Sequence, residues 1–101
     1  MTVINLTEHD NNKTIKAQKG DKVVITLSWN PSTGYFWQEM DTTAGVLEQL
    51  RHEGGDPIPG GSVLVHFTFR IEREGVIQLS CARPWAETQP PAKWFQVQII
   101  F

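Results

Sequence analysis

Apolar and polar residues alternate one by one through most of this chain, and the alternation is clearest in four runs. Successive side chains of a β-strand point to opposite faces of its sheet, so this pattern predicts strands with one buried face. The residues expected to point inward are Val23, Ile25, Leu27 and Trp29 in the first run, Val63, Val65, Phe67, Phe69 and Ile71 in the second, Ile77, Leu79 and Cys81 in the third, and Phe95, Val97, Ile99 and Phe101 in the fourth.

Shorter runs add further strands, and residues typical of turns separate them. The additional candidates are Val3–Thr7, Lys13–Ala17, Tyr35–Met40 and Val46–Arg51. Seven or eight short strands in a chain of 101 residues predict an all-β fold, an immunoglobulin-like β-sandwich that forms one domain over residues 1–101. One stretch stays open: Asp41–Leu50 could instead hold a helical turn, because Leu47 and Leu50 are three residues apart.

Composition limits the classes of partner. The formal net charge is -2, and the lysines and arginines are scattered, so the clustered basic face that nucleic acid requires is not expected. No apolar stretch has the length of a membrane-spanning helix, so no membrane partner is expected, and we expect a monomer. Residues 1–8 lack the basic and apolar regions of a signal peptide, which makes the cytoplasm the default expectation, although a leader already removed would leave no trace.

Residues that could support catalysis or bind a metal are few. The single cysteine, Cys81, falls on the inward face of its strand and is expected to be an inert core thiol. His9, His52 and His66 share no metal-ligand spacing and are expected at the surface. No glycine pattern that cradles phosphate is present. We therefore expect no enzyme activity, no cofactor and no metal site.

Three segments interrupt the alternation, and the ends of strands are where a sandwich carries its recognition loops. In residues 30–34, Pro31 fixes φ and Gly34 allows a positive φ, so a stiff turn is expected, which by itself need be nothing more than a turn. Residues 54–61 form a loop rich in glycine and proline that is uninformative alone. Residues 83–93 are long for a hairpin and carry Trp85 directly after Arg83 and Pro84; this indole either recognises a partner or folds back onto the core.

Together these segments resemble the chagasin-type inhibitors of papain-like cysteine proteases. The resemblance rests on Asn-Pro-Ser-Thr-Gly-Tyr at 30–35 followed by Trp37, on Gly60-Gly61 before the strand at 63–71, and on Arg-Pro-Trp at 83–85. It extends over nearly the whole chain. It implies an eight-stranded immunoglobulin-like sandwich that inhibits such proteases, papain and cathepsin-like enzymes among them, tightly, reversibly and competitively, without catalysis.

The resemblance also implies that three adjacent loops form a wedge across the protease cleft, each at a different position. Asn30–Tyr35 would enter the catalytic centre, Ile58–Gly61 would lie along one wall, and Arg83–Trp85 would cover the other. The residues implied to contact the protease are Asn30, Pro31, Ser32, Thr33, Gly34, Tyr35, Pro59, Gly60, Gly61, Arg83, Pro84 and Trp85.

The chain departs from the family pattern in two of these loops. The middle loop of this family is commonly richer in glycine, whereas here Pro59 stands ahead of Gly60 and Gly61. Proline removes a backbone donor, so any hydrogen bond from that position to a protease is lost. Ser32 stands where threonine is frequent, and it keeps the hydroxyl while losing a methyl contact. The resemblance assigns no role to residues 87–91.

The alternative function is an immunoglobulin-like adhesion or carbohydrate-binding module without protease inhibition. A sugar binder needs aromatic side chains on a shallow polar face, whereas the aromatic side chains expected to be exposed here are confined to loop tips. Trp29, Trp37 and Trp94 are instead expected in the core or at its edge.

Overall fold

Two four-stranded sheets enclose the core of the protein. The computed structural model describes residues 2–29, 35–53, 63–83 and 92–101. Within them the strands are β1 (Val3–Thr7), β2 (Thr14–Lys16), β3 (Lys22–Trp29), β4 (Phe36–Glu39), β5 (Gly45–Glu53), β6 (Val63–Ile71), β7 (Gly75–Ala82) and β8 (Lys93–Ile100). The first sheet has the order β1-β3-β6-β5 and the second has the order β2-β8-β7-β4. The expected all-β sandwich is therefore confirmed.

The alternation in the sequence sets which side chains form the core. Of the residues expected to point inward in β3, β6, β7 and β8, all are buried except Trp29 and Val63, which are partly buried. Apart from Cys81, the buried ones from both sheets belong to one cluster. Phe67, Phe69 and Phe95 are the largest side chains with essentially no exposed surface. Burying such side chains contributes roughly 1.5–3 kcal/mol each, so this cluster dominates the stability of the fold.

Trp29 and Trp37 pack against the edge of this cluster, as expected. Trp94 does not: its side chain is 50% exposed, so its expected place in the core or at its edge is wrong. It pairs with Ser80 of β7, and the strand phase turns it to the outer face while the neighbouring Phe95 points inward. The inward orientation expected for Phe101 is also wrong, because this residue follows the end of β8 and its side chain is 48% exposed.

The first two strands join different sheets, and both run parallel to their partners. β1 pairs with β3 and β2 with β8. A short 3-10 helix at Glu8–Asp10, absent from the sequence expectations, carries the chain across between them. Its start is capped reciprocally, because the Thr7 hydroxyl accepts from the backbone and the Asp10 carboxylate accepts from Thr7 N–H at 2.9 Å. That bond, with a further one from Lys13, lowers the pKa of Asp10.

The possible helical turn near Leu47 and Leu50 is wrong, since both lie in β5. The strand instead has a β-bulge between Leu47 and Gln49, where the pairing with β6 shifts by one residue. Leu47 pairs with Phe69 and Leu50 pairs with Phe67, so two residues three apart face the same side of one strand. A bulge therefore imitates the spacing of a helix in the sequence.

The described part of the chain contains no group of three or more His, Cys, Asp or Glu side chains arranged to hold a metal ion. Across residues 2–29, 35–53, 63–83 and 92–101, no helix is long and apolar enough to cross a bilayer.

Cys81 should resist thiol reagents in the native protein. Its side chain is buried, as expected from the sequence, and burial raises the pKa of the thiol, so little reactive thiolate forms near neutral pH. We expect slow reaction with iodoacetamide at pH 8 and fast reaction in denaturant, measured by mass spectrometry. Equal rates in the two conditions would contradict the burial.

Gly45 should not tolerate a side chain. A Cβ at this position would overlap the backbone carbonyl oxygen of Arg70, which is part of the β5–β6 ladder and cannot move freely. We expect Gly45→Ala to lower the free energy of unfolding by more than about 2 kcal/mol in urea denaturation, the size typical of overpacking. Gly20→Ala is the comparison: Gly20 has a φ of 92° but open space around it, so only about 1 kcal/mol of backbone strain is expected. A smaller loss for Gly45→Ala than for Gly20→Ala would refute the overlap.

Candidate functional site

The three sequence-predicted segments all start and end at one end of the sandwich. Residues 30–34 join β3 to β4, residues 54–62 join β5 to β6, and residues 84–91 lie between Arg83 and β8. Strand pairing shows that their bases adjoin. The register pairs Trp29 with Val63 and Glu53 with Leu64 in the first sheet, and Phe36 with Ala82 and Cys81 with Lys93 in the second.

The side chain of Trp29 joins the two sheets at this end. Trp29 is the last residue of β3 in the first sheet, and its indole N–H donates to the backbone carbonyl of Tyr35, just before β4 of the second. Its ring also contacts the ring of Phe36, with centroids 5.2 Å apart. Residues 29 and 35 flank the segment 30–34, so one side chain ties both ends of that segment together.

Trp37 makes a second link between the same two strands. Its indole N–H donates to the carbonyl of Ser28 at 3.0 Å, across from β4 to β3. A partly buried indole N–H needs a partner, and here the partner belongs to the other sheet. The two indoles thus satisfy their donors by crossing between the sheets in opposite directions.

The base of the 54–62 segment contacts the same tryptophan. His52, one residue before the end of β5, places its ring against Trp29 with centroids 4.7 Å apart and planes tilted by 50°. This is a close aromatic contact between the strand that leads into residues 54–62 and the strand that leads into residues 30–34. His52 is exposed, as expected, but it is not an isolated surface histidine.

Arg83 connects the third segment to the first. Its guanidinium carbon lies 4.6 Å from the centroid of the Tyr35 ring, a cation–π contact. These two residues are the only predicted protease contacts within the described ranges 2–29, 35–53, 63–83 and 92–101, and the fold brings them together. The others, Asn30, Pro31, Ser32, Thr33, Gly34, Pro59, Gly60, Gly61, Pro84 and Trp85, lie outside the described residues.

Sequence reasoning missed Phe36 and His52 as parts of this end of the molecule. Phe36 had a usable signal, since an aromatic residue directly after the Asn30–Tyr35 motif must lie beside it. His52 had none. Its orientation follows from the bulge at Leu47/Gln49, because uninterrupted alternation from Leu47 would place Arg51 on the inner face and turn His52 outward.

The arrangement does not suit catalysis by the one thiol of the chain. Cys81 lies beneath this end on the inner face of β7, and burial raises its pKa, the opposite of what a nucleophilic thiolate requires. What the described residues provide is a set of braced strand ends, from which the three segments start and at which they end.

Comparison with known proteins identifies the family. The profile of the chagasin family peptidase inhibitors, I42, matches residues 16–99. This chain belongs to the chagasin family. It is 35% identical over 88 residues to Amoebiasin-1 of Entamoeba histolytica, covering 82% of this chain and 85% of the relative. Amoebiasin-2 of the same organism is 28% identical over 102 residues, covering 94% of this chain and 82% of the relative.

Solved structures share the fold. The cysteine protease inhibitor EhICP2 from Entamoeba histolytica superposes with a TM-score of 0.83 at 22% identity, over 98% of this chain and 94% of that one. The solution structure of Amebosin matches with a TM-score of 0.71 at 26% identity, over 95% and 94% of the two chains. PbICP-C, solved in complex with falcipain-2, matches with a TM-score of 0.63 at 15% identity, over 98% of both chains.

These comparisons confirm the family expected from the Asn-Pro-Ser-Thr-Gly-Tyr and Arg-Pro-Trp motifs. They also confirm that the chain belongs to a family of peptidase inhibitors and not to a family of enzymes. The contacts of individual residues with a protease stay predictions.

Proposed function

We propose that this chagasin-family chain acts as a single inhibitor domain, residues 1–101, that blocks papain-family cysteine proteases tightly, reversibly and competitively. The segments at 30–35, 58–61 and 83–85 enter the active-site cleft together as one wedge. The observation that carries the proposal is the braced end of the sandwich. Trp29 and the Arg83–Tyr35 contact hold the bases of the three segments against one another.

Bracing matters because association is opposed by the entropy lost when flexible loops become ordered. Each rotamer-rich side chain that is immobilised on binding costs about 0.5–1.5 kcal/mol. A wedge whose loop bases are already fixed in the free inhibitor avoids part of that cost. A fold with many cross-sheet contacts at one end is therefore suited to tight, reversible binding.

The sequence of the central segment suits an inhibitor better than a substrate. A cysteine protease attacks a carbonyl carbon beside its thiolate, with an oxyanion hole on the far side. A turn held by Pro31 and Gly34 can fill that space with side chains while directing no carbonyl along the line of attack. Ser32 and Thr33 then offer hydroxyls to the catalytic groups, and no acyl-enzyme forms.

The flanking segments enlarge the contact on either side of the cleft. In the proposal, Pro59, Gly60 and Gly61 lie along one wall, where two glycines permit close backbone approach. Trp85, next to Pro84 and Arg83, stacks on an aromatic side chain of the opposite wall. The partner class is supported by the relatives: EhICP2 is a cysteine protease inhibitor, and PbICP-C was solved with falcipain-2 bound.

The protein should inhibit papain competitively and reversibly, while trypsin and thermolysin remain active. We expect the apparent KM of papain for a fluorogenic peptide to rise with inhibitor concentration at constant kcat, since substrate and wedge exclude each other. Activity should return on dilution.

Two results would contradict this inhibition. Full papain activity at micromolar inhibitor would exclude the proposed function. Cleavage between Asn30 and Tyr35 during prolonged incubation, detected by mass spectrometry, would replace the wedge with a slow-substrate mechanism.

Trp85→Ala should raise the inhibition constant for papain by at least about 30-fold, corresponding to the ~2 kcal/mol or more typical of a buried aromatic hot spot. Ser32→Ala should raise it about fivefold, the ~1 kcal/mol of one net hydrogen bond. Trp94→Ala is the matched control, since Trp94 lies on the outer face of the second sheet, and its inhibition constant should stay within twofold of wild type. An unchanged constant for Trp85→Ala would remove Trp85 from the interface.

One observation favours the alternative of carbohydrate binding. Trp94 is exposed on a sheet face that also carries Gln78 and Gln96, whose side chains hydrogen-bond to each other at 3.2 Å. Exposed aromatic side chains are therefore not confined to loop tips, and the expectation that they are is wrong for Trp94. The Trp94→Ala variant separates the two functions, because it would abolish glycan-array binding by such a face while leaving papain inhibition intact.

A further inference from the structure

The contact between His52 and Trp29 is part of the bracing at this end of the sandwich. Neither residue is a proposed protease contact, yet their rings lie 4.7 Å apart at the bases of two different protease-binding segments. Trp29 immediately precedes residues 30–34, and His52 lies one residue before the end of β5, which leads into residues 54–62.

The two strands concerned are not neighbours in their sheet. In the order β1-β3-β6-β5, β6 separates β3 from β5. Backbone hydrogen bonds connect each of them to β6 but not to each other. No backbone hydrogen bond joins the described parts of β3 and β5 at this end. The contact of the His52 ring with the Trp29 indole joins them instead.

The bulge in β5 makes this contact possible. After the shift between Leu47 and Gln49, His52 pairs with the buried Val65, so its ring shares the inner phase with Trp29, which pairs with Val63. Trp29 in turn holds Phe36 and the Tyr35 carbonyl. A displacement of the β5 end is thereby coupled through one indole to both ends of the 30–34 segment.

We infer that His52 is a positioning residue for the protease-binding edge: by packing on Trp29 it fixes the base of residues 54–62 relative to residues 30–34. The inference rests on the proposed function and adds a residue that touches no protease. Removing the ring frees the end of β5, and the inhibitor then has to order two segments on binding instead of presenting them together.

The test compares His52→Ala, which removes the ring, with His52→Phe, which restores a ring of similar size. For an aromatic pair we expect His52→Ala to raise the inhibition constant for papain roughly three- to tenfold and His52→Phe to return it to within twofold of wild type. His9→Ala and Arg51→Ala are the matched controls. The first removes a histidine on the 3-10 helix, and the second alters the neighbour that pairs with His66 on the opposite face. Both should inhibit as wild type does.

A second measurement does not depend on inhibition. Limited digestion of the inhibitor alone with proteinase K, a serine protease, followed by mass spectrometry, reports how well each segment is held. His52→Ala should be cut several-fold faster within residues 30–34 or 54–62 and no faster in the core strands, and His52→Phe should be cut as wild type is. If the wild-type protein fails to inhibit papain while this difference persists, the proposed function is wrong and the positioning role of His52 stands.

Identical inhibition constants and identical cleavage rates for His52→Ala and wild type would overturn the inference. So would a failure of His52→Phe to restore either quantity, since ring packing would then not be the cause. Should His52→Ala lose the fold, which cutting throughout the core strands would reveal, His52→Gln takes its place, because it keeps a polar side chain without a ring.

Discussion

The indole of Trp29 is the group on which the end of the sandwich with the predicted protease-binding segments depends. A β-sandwich is held together along its middle by apolar packing, but its ends have no such core, and the strands there can separate. Trp29 closes that end by donating to the Tyr35 carbonyl in the second sheet while its ring packs on Phe36 and His52. One side chain thus supplies apolar area, a satisfied donor and contact with two other strands.

The consequences extend to all three segments that are predicted to bind the protease, because the described residue at the base of each lies beside this indole or one contact away from it. Trp37 repeats the cross-sheet bond with Ser28, and Arg83 packs on the Tyr35 ring. Individually these contacts are worth about a kcal/mol or less in stability. In the proposed wedge their larger effect is on binding, since an inhibitor whose loop bases are fixed before it meets the protease loses less entropy in the complex.

The residues that stabilise the fold and the residues predicted to contact a protease lie at different positions along the strands. The buried cluster of Phe67, Phe69 and Phe95 lies in the strand interiors, whereas the predicted protease contacts lie at or beyond the strand ends. EhICP2 shares this fold at 22% identity, so most residue identities can differ while the fold persists.

The sequence by itself determined the buried faces of β3, β6, β7 and β8 and the family, because alternation depends on neighbours along the chain and the motifs at 30–35 and 83–85 are contiguous. The alternation that places Phe95 inward also places Trp94 outward, so the exposure of Trp94 follows from the sequence although the residue is apolar. The sequence did not determine the contacts of His52. His52 faces Trp29 because of a bulge that adds one residue to β5 relative to β6. A bulge is a property of how two strands pair, so only the tertiary structure could decide which face of β5 meets the tryptophan.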